Sequence, residues 1–307
     1  MSRARRCRRS STCQSRSSRR RTSTSSVRFS SSARFRSVGL TGFRDAEVGR
    51  DVENTATETE SMPDRVLLKD IRKRFGPVEA LRGVTFHVGP GEVVGLAGDN
   101  AAGKSTLMKI LSGACMPDDG EIWIDGVKMT FSSPRDAHAV GIEMVYQDLA
   151  LCDDIDIAGN IFLGREPRKP GGFLLDFPRM HAEAAELLRS LKIRIPFTDV
   201  PVRNLSGGQR QAVAIARAVA FKPRVLILDE PTAALAVTEV NTVLELVRHV
   251  ASQGVSVILI THRLQDLFTV CDRLCVMFEG TMVAELDAKS ATLEELVAEI
   301  VGRGHRQ

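Results

Sequence analysis

The sequence predicts an α/β fold with a mainly parallel sheet, and three observations carry that prediction. Short, largely apolar runs at 92–97, 225–228 and 255–260, the last two rich in β-branched residues, read as strands covered on both faces. Helical segments alternate with them along the chain, the pattern of a sheet built through helical crossovers. The first run leads into a Gly-rich stretch, 98–103, that opens a helix.

Residues 66–75 and 83–88 alternate apolar and polar, as half-buried strands do. The run 92–97 is a buried central strand, and 104–112 is the helix after its loop. Residues 121–124 and 128–131 form a hairpin around Asp125-Gly126, a strong turn dipeptide. Another strand follows at 142–146. The character then changes: acidic and Gly/Pro-rich loops surround a helical stretch at 180–191, predicting an inserted helical subdomain over about 150–205. Helices at 207–221 and 238–253 flank the strand 225–228, the strand 255–260 comes next, and the pattern closes with an acidic helix at 293–301. The first strands predict a separate antiparallel β subdomain. There is no internal repeat.

Averages mislead for this chain of 307 residues with net charge +4. Residues 1–44 hold 13 Arg, 13 Ser and no acid, and 45–61 hold six acids and one Arg. Without 1–61 the chain carries 28 Lys+Arg against 32 Asp+Glu, a net charge of −4, so its basicity is no argument for a nucleic-acid partner. That segment lacks the apolar stretch of a secretory signal. Its composition suits an organellar transit peptide, a disordered tail, or a mis-assigned start with translation beginning at Met62; the last two are the favoured readings. The folded domain is expected over 62–303. No apolar run approaches the roughly 20 residues of a membrane-spanning helix. The six cysteines match neither zinc-site nor disulfide-framework spacing and read as free thiols.

Gly98-Asp99-Asn100-Ala101-Ala102-Gly103-Lys104-Ser105-Thr106 fits G-x-x-x-x-G-K-[ST], between a buried strand and a helix. Backbone N–H groups turned inward cradle phosphate oxygens, which requires a loop without bulky Cβ atoms, and the helix N-terminus adds a favourable dipole. Lys104 supplies a charge for the β- and γ-phosphates, and the Ser105 hydroxyl suits Mg²⁺. The strand 225–228 runs into Asp229 and Glu230. An acid at that strand end can hold Mg²⁺ through its hydration shell, and the next can orient and polarise an attacking water.

Leu205-Ser206-Gly207-Gly208-Gln209 is a capped, Gly-opened helix start and hence a second anion-binding helix N-terminus. With this segment standing shortly before the acidic strand, the chain over about 66–302 resembles the ABC ATPases, whose signature is LSGGQ. The resemblance implies a P-loop NTPase with a RecA-like core, an N-terminal antiparallel β subdomain and an inserted helical subdomain. It implies head-to-tail pairing of two nucleotide domains, each ATP held by the phosphate loop of one and the signature (Ser206, Gly207, Gly208, Gln209) of the other. By the same resemblance Phe75 stacks on adenine, Gln147 touches Mg²⁺ and the attacking water, and His262 contacts the γ-phosphate.

Two positions depart from the family. Ala101 stands where most phosphate loops have Gly; with φ > 0 it costs roughly 1–2 kcal/mol and with φ < 0 almost nothing. Ala236 stands where many relatives carry Asp. Lys104 and Ser206 are 102 residues apart, too close for the coiled coils of DNA-repair relatives. The stretches 131–137, 141–151 and 160–166 resemble the ATP subunits of bacterial ribose-, xylose- and fructose-type importers, and the single nucleotide domain their single-domain branch. The importer reading implies ATP and Mg²⁺ as cofactors, a homodimer or paired nucleotide domain, multi-span permease subunits, and a periplasmic sugar-binding protein reached through the permease. Its place is peripheral, on the cytoplasmic face of the plasma (inner) membrane, with no direct nucleic-acid partner. A soluble non-transport ABC ATPase and the ATPase of a lipid or drug exporter are the alternatives.

Overall fold

The structure is a computed structural model that describes residues 64–301, so the basic segment 1–61 and the start expected at Met62 lie outside the described residues. The chain begins with β1 (Val66–Phe75), β2 (Val78–Val88) and β3 (Val93–Gly98), then α1 (Lys104–Leu111), β4 (Asp119–Ile124) and β5 (Val127–Met129). It continues through α2 (Pro134–Ala139), β6 (Ile142–Val145), α3 (Ile157–Ile161), α4 (Phe177–Ser190) and a 3-10 turn, Val202–Asn204. The second half runs α5 (Gly207–Val219), β7 (Val225–Asp229), α6 (Val237–Ser252), β8 (Ser256–Ile260), α7 (Leu264–Val270), β9 (Arg273–Phe278), β10 (Thr281–Asp287) and α8 (Leu293–Val301).

Two sheets result. One is antiparallel, in the order β2-β1-β4-β5. Its β4–β5 turn places Asp125 at φ 48° and Gly126 at φ 75°, the doubly left-handed pair that a two-residue hairpin needs. Arg65 and Arg224 each bind a different carboxylate oxygen of Asp125, at 2.6 and 2.5 Å, and anchor that turn to the start of β7. The other sheet has the order β10-β9-β3-β8-β7-β6, parallel except for the β9–β10 hairpin.

Why the central strands are apolar throughout is visible in the packing. Leu226 and Leu228 of β7, with Val257 and Leu259 of β8, face a core shared with α3 to α7. Val225 and Ile227, with Ile258 and Ile260, face the opposite core, shared with α1 and the antiparallel sheet. Side chains alternate across a strand, so a strand buried on both faces takes apolar residues throughout unless a polar one is hydrogen-bonded, as Ser256 is to the Gly89 carbonyl.

The insertion between β6 and α5 is held by short-range polar contacts and one amphipathic helix. Asn160 is fully buried, yet its amide is satisfied: Oδ1 accepts from Cys152 N–H at 2.8 Å, and Nδ2 donates to the carbonyls of Cys152, Ile155 and Asp156. Helix α4 buries Met180, Ala184 and Leu188, one residue per turn.

Four elements were not expected from the sequence: α2, α3, α7 and the β9–β10 hairpin. The helices have five to seven residues, too few for a 3.6-residue period to register. Strand β9 is a central strand beside β3. Cys271 and Cys275 are buried, and burial pushes both thiols up, Cys275 to about 12, which keeps them as inert core thiols. Among the described residues no helix is long and apolar enough to cross a membrane, and no cluster of His, Cys, Asp and Glu could hold a metal by itself.

Candidate functional site

The phosphate loop leaves β3 at Gly98 and enters α1 at Lys104. Its two outer glycines are sterically obligatory. Gly98 has φ 149° and a Cβ there would lie 2.3 Å from the Met277 carbonyl oxygen; at Gly103, φ 100°, it would lie 2.8 Å from that of Ala80. Both carbonyls belong to strands that hold the loop from beneath. The β9–β10 turn adds a further tie: Gly280 N–H donates to the Ala102 carbonyl at 3.0 Å, and Arg82 N–H donates to the Gly280 carbonyl at 2.8 Å. Ala101 has φ 70°, which places it on the costly side of the conditional expectation. Ala102 is buried, and Asp99, Asn100 and Ser105 are exposed.

Lys104 is 7% exposed. Its ammonium turns back over the loop and donates to the Gly98 and Asp99 carbonyls, each at 2.9 Å. Burial lowers its pKa, and the charges of Glu230, Asp99 and Asp229 resist that fall. Asp229, the last residue of β7, is affected the other way: burial raises its carboxyl, with Lys104 and His262 opposing. Glu230 follows at φ 52°, an unusual conformation for a residue with a side chain. Its N–H donates to the Ile260 carbonyl of β8 at 2.8 Å. Its Oε2 accepts from His262 N–H at 3.3 Å, and Oε1 lies 3.3 Å from His262 Nε2. Oε1 is buried and makes no hydrogen bond within the chain. A buried carboxylate oxygen with unused acceptor capacity can take a further donor once one reaches it.

Lys104, Asp229, Glu230 and His262 thus form one electrostatic cluster at the ends of β3, β7 and β8. The structure also supplies a support that the sequence reading missed. Thr232 donates from its hydroxyl to Asp266 Oδ2 at 2.6 Å, both residues being buried, and Arg263 pairs with Asp266 at 3.3 Å. The loop after Glu230 is thereby fastened to α7. No motif announces a Thr and an Asp that are 34 positions apart.

The remaining expected residues stand apart from this cluster. Phe75, at the end of β1, is 51% exposed, with the Lys73 ammonium 5.5 Å from its ring centroid. Gln147 is exposed just beyond β6. The loop that carries it is held by Arg217 of α5, whose guanidinium donates to the Leu149 and Ala150 carbonyls. Ser206 caps α5: its Oγ accepts from Gln209 N–H at 3.3 Å, while Gln209 Oε1 accepts from Ser206 N–H at 3.1 Å. The Gln209 side chain is therefore committed to capping its own helix. Among the described residues no hydrogen bond or ion pair joins the signature segment to the phosphate loop.

Comparisons with known proteins fit this geometry. The profile of the family described as ABC transporter matches residues 81–233. The xylose/arabinose import ATP-binding protein of Sulfolobus acidocaldarius is 47% identical over 235 residues, covering 76% of this chain and 93% of that protein. The fructose import ATP-binding protein of Rhizobium meliloti is 44% identical over 236 residues, covering 75% and 91%. The chain spans about half the length of the ribose import ATP-binding proteins it matches, 46% of the one from Streptomyces coelicolor. Among solved structures, a dimeric, post-hydrolysis ATP-binding cassette bound to ADP and phosphate superposes with a TM-score of 0.62 at 25% identity, over 74% of this chain and 100% of that one.

Proposed function

Because this chain belongs to the ABC transporter family as one of its ATP-binding ATPases, we propose that it energises the import of a monosaccharide, working as a pair of nucleotide domains beneath a multi-span permease. The observation that carries the catalytic reading is the Glu230 carboxylate, buried against His262 with one oxygen free to accept. The reading of the solute rests on the xylose/arabinose and fructose import relatives, which match over nearly their whole length. A sugar-binding protein outside the membrane would deliver the solute to the permease, and this chain would sit on the membrane's cytoplasmic face.

ATP would place its phosphates in the loop 98–104. To meet them, Lys104 has only to exchange two carbonyl acceptors for phosphate oxygens, so its ammonium is already poised over the loop. The hard-oxygen donors Ser105, Gln147 and Asp229 suit Mg²⁺, and a cation beside Asp229 would oppose the upward push that burial gives its carboxyl. Bound there, the ion would neutralise charge on the β- and γ-phosphates. Phe75 offers an exposed ring for adenine. Glu230 Oε1 would accept a hydrogen bond from the attacking water and orient it, with the His262 ring beside that oxygen and the His262 N–H on Oε2. Ser206, Gly207 and Gly208 of the partner would close over the γ-phosphate and exclude solvent. Hydrolysis would then remove the group that joins the two subunits, and opening of the pair would reset the permease.

The test is Glu230→Gln in the complex with its permease. Turnover should fall by roughly 10²–10⁴, ATP binding should persist, and a closed dimer should accumulate. Near-normal turnover would remove Glu230 from its role. Stimulation of the reconstituted complex's ATPase by one monosaccharide with its binding protein would identify the solute; stimulation by none of xylose, arabinose, ribose or fructose would overturn the solute class.

A further inference from the structure

One carboxylate outside the hydrolytic cluster already sits on the signature groups that the proposed function assigns to the partner's nucleotide. Glu239 lies in the first turn of α6. Its Oε1 accepts from Gly208 N–H at 3.3 Å, and its Oε2 accepts from Ala236 N–H at 3.4 Å. Hydrogen bonding from the Ser206 hydroxyl, and then from Gly208 N–H, holds its carboxyl below the usual range. Glu239 therefore bridges the N-termini of α5 and α6, where two helix dipoles favour a negative charge.

The contact is built into the backbone and is not a long side chain resting by chance. A Cβ at Gly208 would lie 2.8 Å from Glu239 Cβ, and one at Gly207 would lie 3.0 Å from Leu235 Cδ2. Both glycines of the signature are thus used within the chain, by the start of α6 and the residue before its cap. Ala236 carries no side-chain acceptor, so only the Glu239 half of a capping box is present at α6, and it accepts from the Ala236 N–H itself.

We propose that the Glu239 carboxylate is an internal competitor for the terminal phosphate of the partner's ATP, occupying Ser206 and Gly208 while the chain is unpaired and leaving when the sandwich closes. The inference rests on the signature's role toward the partner's nucleotide. Two anions cannot share the same pair of donors, because like charges at contact distance repel and one would be left without its hydrogen bonds. An exit is available. Glu239 lines a cleft of about 600 Å³ that Lys192, Arg194 and one further carboxylate, Glu245, also line. A displaced carboxylate would find water and cationic side chains there. Closure then has a threshold: ATP must outcompete a tethered carboxylate before the subunits pair, which suppresses closure at low ATP.

The experiment uses the full chain with Glu230→Gln, so that closed dimers persist, and follows dimer fraction against ATP concentration by light scattering. Adding Glu239→Gln keeps a capping acceptor at the third position of α6 but removes the charge. The ATP midpoint should fall by roughly tenfold, as charge-assisted hydrogen bonds are replaced by neutral ones about half as strong. Glu239→Asp, one methylene shorter, should lower the midpoint as well by withdrawing the carboxylate from Gly208. A purely structural role predicts the opposite, since loosening the α5–α6 junction would raise the midpoint. An unchanged or raised midpoint in either folded variant overturns the competitor. Ser206→Arg in the same background separates the two levels. If it still dimerises with ATP, the signature's role itself fails. If it blocks dimers while the Glu239 variants leave the midpoint in place, only the competitor fails.

Discussion

The two neighbouring alanines of the phosphate loop should respond to glycine with opposite signs. Ala101 has φ 70° and is exposed, so its methyl group buries nothing and its backbone pays the left-handed penalty, roughly 1–2 kcal/mol. Ala101→Gly removes that penalty but frees the unfolded chain, which costs about 0.4–1 kcal/mol. The net is a stabilisation of about 0.5–1 kcal/mol, or a rise in Tm of about 1–4 °C for a domain of this size. Ala102 is 4% exposed and is not among the residues with positive φ. There glycine forfeits a buried methyl, about 0.8 kcal/mol, and suffers the same unfolded-state cost. Ala102→Gly should therefore lower stability by about 1–2 kcal/mol and Tm by about 2–8 °C. The assay is thermal unfolding by circular dichroism without nucleotide, because bound ATP would add mass-action stabilisation to every variant. If both substitutions move Tm in the same direction, the strain assigned to Ala101 is not there.

Three further outcomes can be checked with the same protein. Lys104→Ala should weaken nucleotide binding, by calorimetric titration, through loss of the ammonium held over the loop; unchanged ATP affinity would remove Lys104 from the cradle. Ala236→Ser should give α6 the cap oxygen it lacks and raise stability by about 0.5–1 kcal/mol, read from denaturant midpoints; no gain would mean that Glu239 already satisfies that turn. Asp266→Ala should leave the buried Thr232 hydroxyl without its partner and cost about 1–3 kcal/mol. It should also slow ATP turnover, because the loop after Glu230 loses its tie to α7; normal turnover would limit Asp266 to stability alone.

What was legible in the sequence divides along a physical line. The phosphate loop, the acidic strand end and the capped signature helix are contiguous, and each carries its own chemistry within a few residues. The two-faced strands were legible because burial on both sides leaves four consecutive apolar residues, Val225 to Leu228 in β7 and Val257 to Ile260 in β8. Strand β9 was not legible in the same way. It is bounded by Arg273, whose guanidinium donates to Glu92, Glu285 and the His87 carbonyl, so a charged residue opens the run instead of a turn signal. The short helices α2, α3 and α7 carry too few turns for periodicity, although the Ser133–Asp136 capping box marks α2 in retrospect.

The site contacts that escaped share a second property: their partners meet only through the fold. Thr232 and Asp266 are joined across a loop and a strand, and Glu239 reaches Gly208 from 31 residues away. Neither pair has a local signature, since an Asp or Glu in the first turn of a helix looks like ordinary capping. Ala236 shows how such a position gains meaning from structure. Read alone, it is a missing aspartate. Beside Glu239 it is a cap whose own N–H is held by a carboxylate that also reaches Gly208, so the helix start of the signature already carries an anion.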